Sequence, residues 1–412
     1  MKKKFFTLAL SALALTSIFV SCSESNNDPE PNANYAITLD LPLNQQNGTL
    51  SDTKATLTNV QTKQQYPANS FSKNGNVYVD SISVPQGLYN IEVTGKISYK
   101  VNSQNVVSSV KAKQENVNIN LQAASNHNNN ITMALNTFSA AQGFVISEIF
   151  FTGTQTSEGK TYTDDQYFRI ANNSNETLYA DGLAIVQADF LSTDKQDYTP
   201  NLLDSAITID AIYVIPGNGT DYPILPGQEI TIALNAINHK EYNPNSIDLS
   251  KADFEFYDAI DGKEDIDVDN KDVPNLINWY NNFKSGFILH NRGFKSYALV
   301  KPEVDIDTFN KNFKYTYNWK FVFGQYSFDR SDEAFFIPNS WVIDGVSLSV
   351  PSLWQWNVMS ETIDAGYTHC GQVDKDQNRF GKAVVRKKNG NMWVDTNNST
   401  NDFEADAKPS LF

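Results

Sequence analysis

The chain has 412 residues, with 47 acidic side chains against 32 basic ones and a formal net charge of −15. So acidic a chain repels phosphate backbones, which argues against nucleic-acid binding. With two cysteines in all, at most one disulfide is available; the structure must hold through its apolar core, and the length suffices for two or three domains.

At the N-terminus, Lys2, Lys3 and Lys4 precede an apolar stretch, residues 5–20. Its length suits a secretory signal and is short for a membrane span. Phe19-Val20-Ser21-Cys22 follows. A small residue directly before a cysteine resembles the lipobox of bacterial lipoproteins, and Phe19 in place of the usual Leu is similar to the relaxed lipoboxes of Bacteroidota. The resemblance implies removal of residues 1–21 and acylation of Cys22. Each buried acyl CH₂ would add about 0.8 kcal/mol of anchorage in outer-membrane lipid. Cleavage takes three lysines and no acid, leaving 29 of the 32 bases against 47 acids, a net charge of −18. Residues 22–34 are polar, acidic and Pro-containing, the composition of a flexible tether. Glu24, Asp28 and Glu30 resemble the acidic export signals of surface-exposed Bacteroidota lipoproteins, which implies a cell-surface location. Beyond the leader there is no second apolar run long enough to span a membrane as a helix.

Period-two alternation then dominates. Ile37, Leu39 and Leu41 alternate, as do Val77 and Val79, Val117, Ile119 and Leu121, and Ile131, Met133 and Leu135. Turn residues separate these runs (Asn47-Gly48, Asn74-Gly75, Pro85-Gln86-Gly87), the pattern of an all-β sandwich. The run V-D-S-I-S-V-P-Q-G-L-Y-N-I-E-V-T-G resembles the closing strands of prealbumin-like, or carboxypeptidase-regulatory-like, modules. Gly87 would supply an unusual backbone angle at the turn. The module is predicted over residues 35–138, with its boundary near Ser139-Ala140-Ala141-Gln142-Gly143.

The second region, residues 139–412, opens on F-V-I-S-E-I (residues 144–149), followed by Q-Y-F-R-I-A-N-N-S (166–174) and Ala180-Asp181-Gly182-Leu183. This succession resembles the lamin-tail domain, an immunoglobulin-like sandwich, with Arg169 where a Glu is usual and Ala184 where a Trp is common. I-L-P-G-Q-E-I-T-I (224–232) and W-V-I-D-G-V (341–346) fit later strands of that family. A large insertion, about residues 233–335, separates them. It is too long for a structureless loop, so it must carry its own packing, with a short helix near residues 275–283 and more strands. The whole arrangement resembles a family of uncharacterised Bacteroidota outer-membrane lipoproteins. The likeness implies an accessory protein facing the surface or periplasm beside a TonB-dependent transporter, and it brings no catalytic residues.

Motifs for chemistry are sparse. No two of His127, His239, His290 and His369 are four residues apart, and no G-x-S-x-G, P-loop or dinucleotide fingerprint occurs. His369 and Cys370 are adjacent, and neighbours on a strand point to opposite faces, so the pair reads as a free cysteine rather than a metal or nucleophile site. Asp265, Asp267 and Asp269 alternate within an acidic run (258–272) and in extended structure could share a calcium ion. The EF-hand pattern fails there, with Asn270 and Leu276 at the expected Gly and Glu positions. A solvated acidic loop is the competing reading. Aromatic residues make up 12% of the chain and gather in its second half. Trp279, Tyr280, Trp354 and Trp356 are the candidate ligand contacts. Trp354-Gln355-Trp356 would set both indoles on one strand face, suited to sugar rings or planar ligands, against the alternative that they are core.

The sequence thus predicts a mainly β protein of two β-sandwich domains after a lipoprotein signal and tether. It would be non-enzymatic, would require no cofactor, with a structural calcium at the acidic run as an option, and would capture a glycan, a siderophore or haem-like compound, or a peptide for a TonB-dependent uptake system. The alternatives are a structural or adhesion protein binding only proteins and, third, a hydrolase.

Overall fold

The computed structural model describes residues 31–42, 45–125, 129–138, 142–259, 268–283 and 286–412. The alternation in the N-terminal part becomes two facing sheets. In Asn32–Asp40 every second side chain, Ala33, Tyr35, Ile37 and Leu39, turns inward. This strand pairs antiparallel with Val77–Pro85 and parallel with Asn130–Ala134, and Ser72–Asn74 completes a four-stranded sheet. The opposing sheet has five strands in the order Gln65–Ala68, Thr49–Asn59, Gly87–Val101, Gln104–Ile119, Asn136–Phe138. Leu57, Tyr89, Ile91 and Val93 meet Ile37, Leu39 and Val84 in one core, where each fully buried aliphatic side chain contributes about 1.5–3 kcal/mol. Pro85-Gln86-Gly87 carries the chain from one sheet to the other. A Cβ on Gly87 would lie 3.0 Å from the Asn59 side-chain nitrogen, so the turn leaves little room for another residue.

Residues 144–407 form two larger sheets. The first has six strands in the order Phe254–Glu255, Glu229–Ala233, Tyr167–Asn172, Phe144–Phe150, Ala383–Arg386, Phe403–Ala407. The second, of eight strands, runs Tyr198–Thr199, Lys314–Phe323, Tyr326–Pro338, Ala206–Val214, Ala184–Ala188, Tyr297–Val300, Val342–Val346, with Ile277–Asn281 also pairing Ala206–Val214. Between them lie Phe144, Ile146, Phe168, Ile170, Ile232, Tyr213, Tyr297 and Leu299. Every residue of Ala206–Val214 and Tyr297–Val300 is buried, because the eight-stranded sheet is covered on both faces. Strands covered in this way read as unbroken apolar runs rather than alternations.

Its second face is covered by Phe309 of the helix Ile306–Asn312, by Trp341 and Trp356, and by Val101 and Val106 of the first sandwich. Those two valines flank a hairpin turn at Asn102 and Ser103, both at positive φ (45° and 69°), as a type I′ turn demands. Hydrogen bonds seal the junction: Tyr99 Oη and Ser108 Oγ each lie 2.6 Å from Ser340 Oγ, and Trp341 Nε1 donates to the Val107 carbonyl at 3.2 Å.

Two expectations are corrected here. The segment 233–335 does not pack apart as an insertion: Tyr297–Val300 sits between Ala184–Ala188 and Val342–Val346 in the middle of the large sheet. The helix expected near residues 275–283 is instead the strand Ile277–Asn281. Trp279 and Tyr280 there pack on Phe309 and Phe335, contacts that pairing to Ala206–Val214 provides and a lone helix would lack.

Candidate functional site

The buried titratable side chains have structural partners. The His239 ring is held by Tyr162 Oη at Nδ1 (2.8 Å) and by the Asn235 carbonyl at Nε2 (2.9 Å). His290 stacks on Phe294 and accepts the Phe294 N–H at Nδ1, 3.2 Å away. Burial lowers both histidines to about 4, so both are neutral at pH 7. Cys370 is a free thiol inside the core between the two large sheets, where burial pushes its pKa up and leaves it unreactive. Its neighbour His369 faces Asp406, 3.8 Å away.

The candidate ligands of calcium do not assemble into a described site. Asp265 and Asp267 lie outside the described residues, as do Cys22 and His127. Asp269 is engaged by the Lys271 ammonium and accepts from Asn275 Nδ2 at 3.3 Å. Among the described residues no group of three or more His, Cys, Asp or Glu is placed to hold a metal ion.

The aromatic candidates separate. Residues 354–356 follow a turn rather than forming a strand, so the two indoles do not share a face. Trp356 is buried, packing behind Phe190 with its Nε1 donating to the Leu191 carbonyl at 2.9 Å. Trp354 is 44% exposed and stacks on Tyr367. Trp279 and Tyr280 are half-buried against the core.

The exposed aromatic surface lies elsewhere, on the ribbon made by Lys314–Phe323 and Tyr326–Pro338. Its inner half is core: Tyr315, Tyr317, Phe335, Phe336 and Ile337 are all buried. Its outer half projects beyond the other strands, since Tyr198–Thr199 pairs only as far as Trp319. All residues from Lys320 to Glu333 are exposed. Residues directly opposite share a face, so the register places Trp319 with Arg330, Phe321 with Phe328 and Phe323 with Tyr326 on one side. Gly324, at φ 58°, opens the turn with Gln325, the place where a II′ hairpin needs glycine.

Beside the ribbon, residues 194–199 form the other wall of an open groove of about 890 Å³, lined by Asp194, Lys195, Asp197, Trp319, Phe321 and Arg330 among others. A recess of about 180 Å³ leads inward from it, sharing Asp194, Gln196 and Trp319 and ending on Phe190 and Tyr317. Phe190, Tyr198, Tyr317 and Trp356 pack on one another behind it, with Phe190 4.6–5.8 Å from each of the other three. Trp319 Nε1 donates to Asp332, which orients the indole along the ribbon. The groove therefore offers flat apolar walls with carboxylates and cations at the rim, an arrangement that grips a polar ligand with an apolar face. A second, polar cavity of about 420 Å³ lies where the two sandwiches meet, lined by Tyr99, Asp204, Asn339, Ser340, Asp395 and Asn397.

Trp319, Phe321, Phe323, Tyr326 and Phe328 are not among the ligand contacts that the sequence singles out. The available signal was the run F-V-F-G-Q-Y-S-F itself, three consecutive apolar residues before a glycine turn and alternating aromatics after it.

Fold and site together define a mainly β protein of two sandwiches carrying an exposed aromatic ribbon. Residues 225–410, which include the ribbon, match the family described as "Protein of unknown function (DUF4876)". The fold as a whole is similar to the crystal structure of a DUF4876 family protein from Bacteroides thetaiotaomicron VPI-5482, with 20% identity and a TM-score of 0.51 over 92% of this chain and 96% of that one. No curated protein matches the chain.

Proposed function

We propose that this is a lipid-anchored outer-membrane protein, exposed at the cell surface, that binds a nutrient ligand without transforming it and works beside a TonB-dependent transporter. The observation that carries the reading is the groove between residues 194–199 and the ribbon, with half-buried Trp319 and exposed Phe321 beside three acids and three bases, Asp194, Asp197, Asp329, Lys195, Lys320 and Arg330. A hydrolase needs an acid, base or nucleophile within reach of its substrate; here the buried histidines and Cys370 are tied into the core, while the accessible surface is one that stacks and hydrogen-bonds. Mixed charge and flat aromatic walls favour a glycan among the ligand classes considered. Acylated Cys22 and the tether, residues 22–34, would keep the groove at high effective concentration near its transporter.

Affinity isolation from mild-detergent extracts of outer membranes tests this reading. A TonB-dependent barrel in stoichiometric amount is the expected result, and that barrel's substrate class then supplies the ligand for titration. Trp319→Ala should weaken that binding about tenfold or more, since an aromatic stacking platform contributes on the order of 1.5 kcal/mol. Recovery of surface subunits alone, with no barrel, would move the protein to a structural or adhesion role.

A further inference from the structure

We propose that the outer end of the ribbon, residues 321–328, is a wedge that seats in the headgroup zone of a lipid bilayer. The sequence F-V-F-G-Q-Y-S-F carries no charge, while Lys320 and Asp329 stand directly behind it as a cross-strand ion pair of 3.4 Å. The change from charged to apolar thus occurs at the same level on both strands. Beyond it, Phe321, Phe323, Tyr326 and Phe328 occupy one face, and Val322 and Ser327 the other, with Phe323 71% and Val322 65% exposed.

The absence of charge on both faces, with Val322 exposed on the second, decides among the occupants. A protein or glycan lying on one face would leave the other in water, and a strand added at the ribbon's edge would leave both there. A lipid surface surrounds the tip. Three cross-strand pairs and a turn extend roughly 10 Å at about 3.3 Å per residue, which matches the about 5–10 Å to which interfacial segments sink. At that depth the unpaired ribbon edges still meet water, as they would not in the hydrocarbon core. Trp319, two pairs behind the tip beside Arg330, sits at the level where indoles collect at membrane surfaces. The ion pair behind the tip is balanced, and a net charge of −15 is repelled by anionic lipid, so zwitterionic headgroups are the matching surface.

This contact adds to the lipid anchor of the proposed function, yet its test does not need that anchor. The chain from Ser23 onward, which retains every described residue and has no acylation site at position 22, is floated with phosphatidylcholine vesicles. The wild type should float. A Phe323→Ser, Tyr326→Ser double variant, altered only at exposed positions outside the groove, should lose about tenfold or more of its partition, and Trp354→Ser should lose none. Replacing part of the lipid with phosphatidylglycerol should not strengthen binding. A wild-type chain that stays with the soluble fraction, or a double variant that floats equally well, overturns the wedge. If the wild type ignores vesicles while the double variant loses the barrel in the affinity isolation, the tip is a protein contact instead. Absence of acylation at Cys22 in the native protein would sink the anchor and leave the vesicle result unchanged.

Discussion

The two sandwiches share a strand vocabulary but place their charges differently. Among the described residues of the first, the buried polar side chains are Asn59 and Ser108, both uncharged. The second buries Glu148, Asp165, Asp210, Glu255, Lys295, Asp344, Arg386 and Asp402. The reason is coverage. The first sandwich has solvent on its outer faces, so alternation alone sends charges outward. The large sheet of the second is covered twice, and its connecting segments close over the ends of the strands. Polar groups trapped there must be paired, because an unpaired buried charge costs several kcal/mol. The first region is therefore held chiefly by apolar burial and the second by burial plus a set of specific polar joints, which makes the second the more sensitive to single changes of charge.

The largest effect is expected at Arg386. Its guanidinium meets Asp344 at 2.5 Å and Asp402 at 3.5 Å, donates to the Ile146 and Val394 carbonyls, and lies over the Phe403 ring. One side chain thereby joins Phe144–Phe150, Val342–Val346 and the C-terminal strands. Arg386→Ala leaves Asp344 and Asp402 buried without their cation, and should cost about 3–5 kcal/mol. Urea unfolding followed by amide exchange would localise it: amides of the second region should lose protection while those of Ile37 and Val93 keep theirs. Equal loss in both regions would mean that the junction at Tyr99, Ser108 and Ser340 makes them one cooperative unit, and the contrast would fail.

Acid is the next probe. His239 and His290 belong to the second region, and burial holds both at about 4 when folded, against an ordinary value near 6.5. A group that binds its proton more weakly when folded than unfolded contributes stability above its unfolded value, and that stability is lost as the pH falls toward the folded one. Each histidine would surrender up to about 3 kcal/mol between pH 6.5 and 4. Asp165, pushed up to about 6 by burial, acts in the opposite sense, since its buried charge is relieved as the pH falls through 6. Imidazole resonances followed by NMR should hold their neutral positions to about pH 5. Titration near 6.5 would show rings open to water and remove the acid sensitivity assigned to this half.

How much of this was legible in the sequence depended on whether a signal was local. The alternation of Ile37 and Leu39, the turn at Pro85-Gln86-Gly87 and the apolar opening of the second region report their own strand geometry. The mainly β architecture could be read from them. Tyr297–Val300 could not be placed in the middle of a sheet, because its partners lie over a hundred residues upstream and some forty downstream, and four apolar residues carry no record of them. Residues 275–283 were ambiguous for a related reason: a short run with two aromatics suits a helix or a strand until its neighbours are known. The ribbon shows the opposite limit. Tyr315, Tyr317, Trp319, Phe321 and Phe323 keep one alternation along the whole strand, and that pattern reads as half-buried throughout. Only the topology reveals that Tyr315 and Tyr317 have the body of the protein above them and Phe321 and Phe323 have nothing.

The smallest effect tests whether exposure of an aromatic residue in the second region is enough to make it functional. Trp354 and Trp356 are two residues apart and have opposite surroundings. Trp356 supports the groove from behind, through Phe190 and the Leu191 carbonyl. Trp354 has its ring on Tyr367, centroids 5.1 Å apart, and its Nε1 on Asn357 Oδ1 at 3.2 Å. It lines neither the groove nor its recess. Trp354→Ala should therefore cost no more than about 1 kcal/mol of stability, the worth of an exposed stacked pair, and ligand titration of the variant should match the wild type. A loss of affinity comparable to that of Trp319→Ala would bring the Trp354–Tyr367 stack into the binding surface. It would also mean that the second region presents two aromatic contacts to its ligand, one on the ribbon and one on the turn at residue 354.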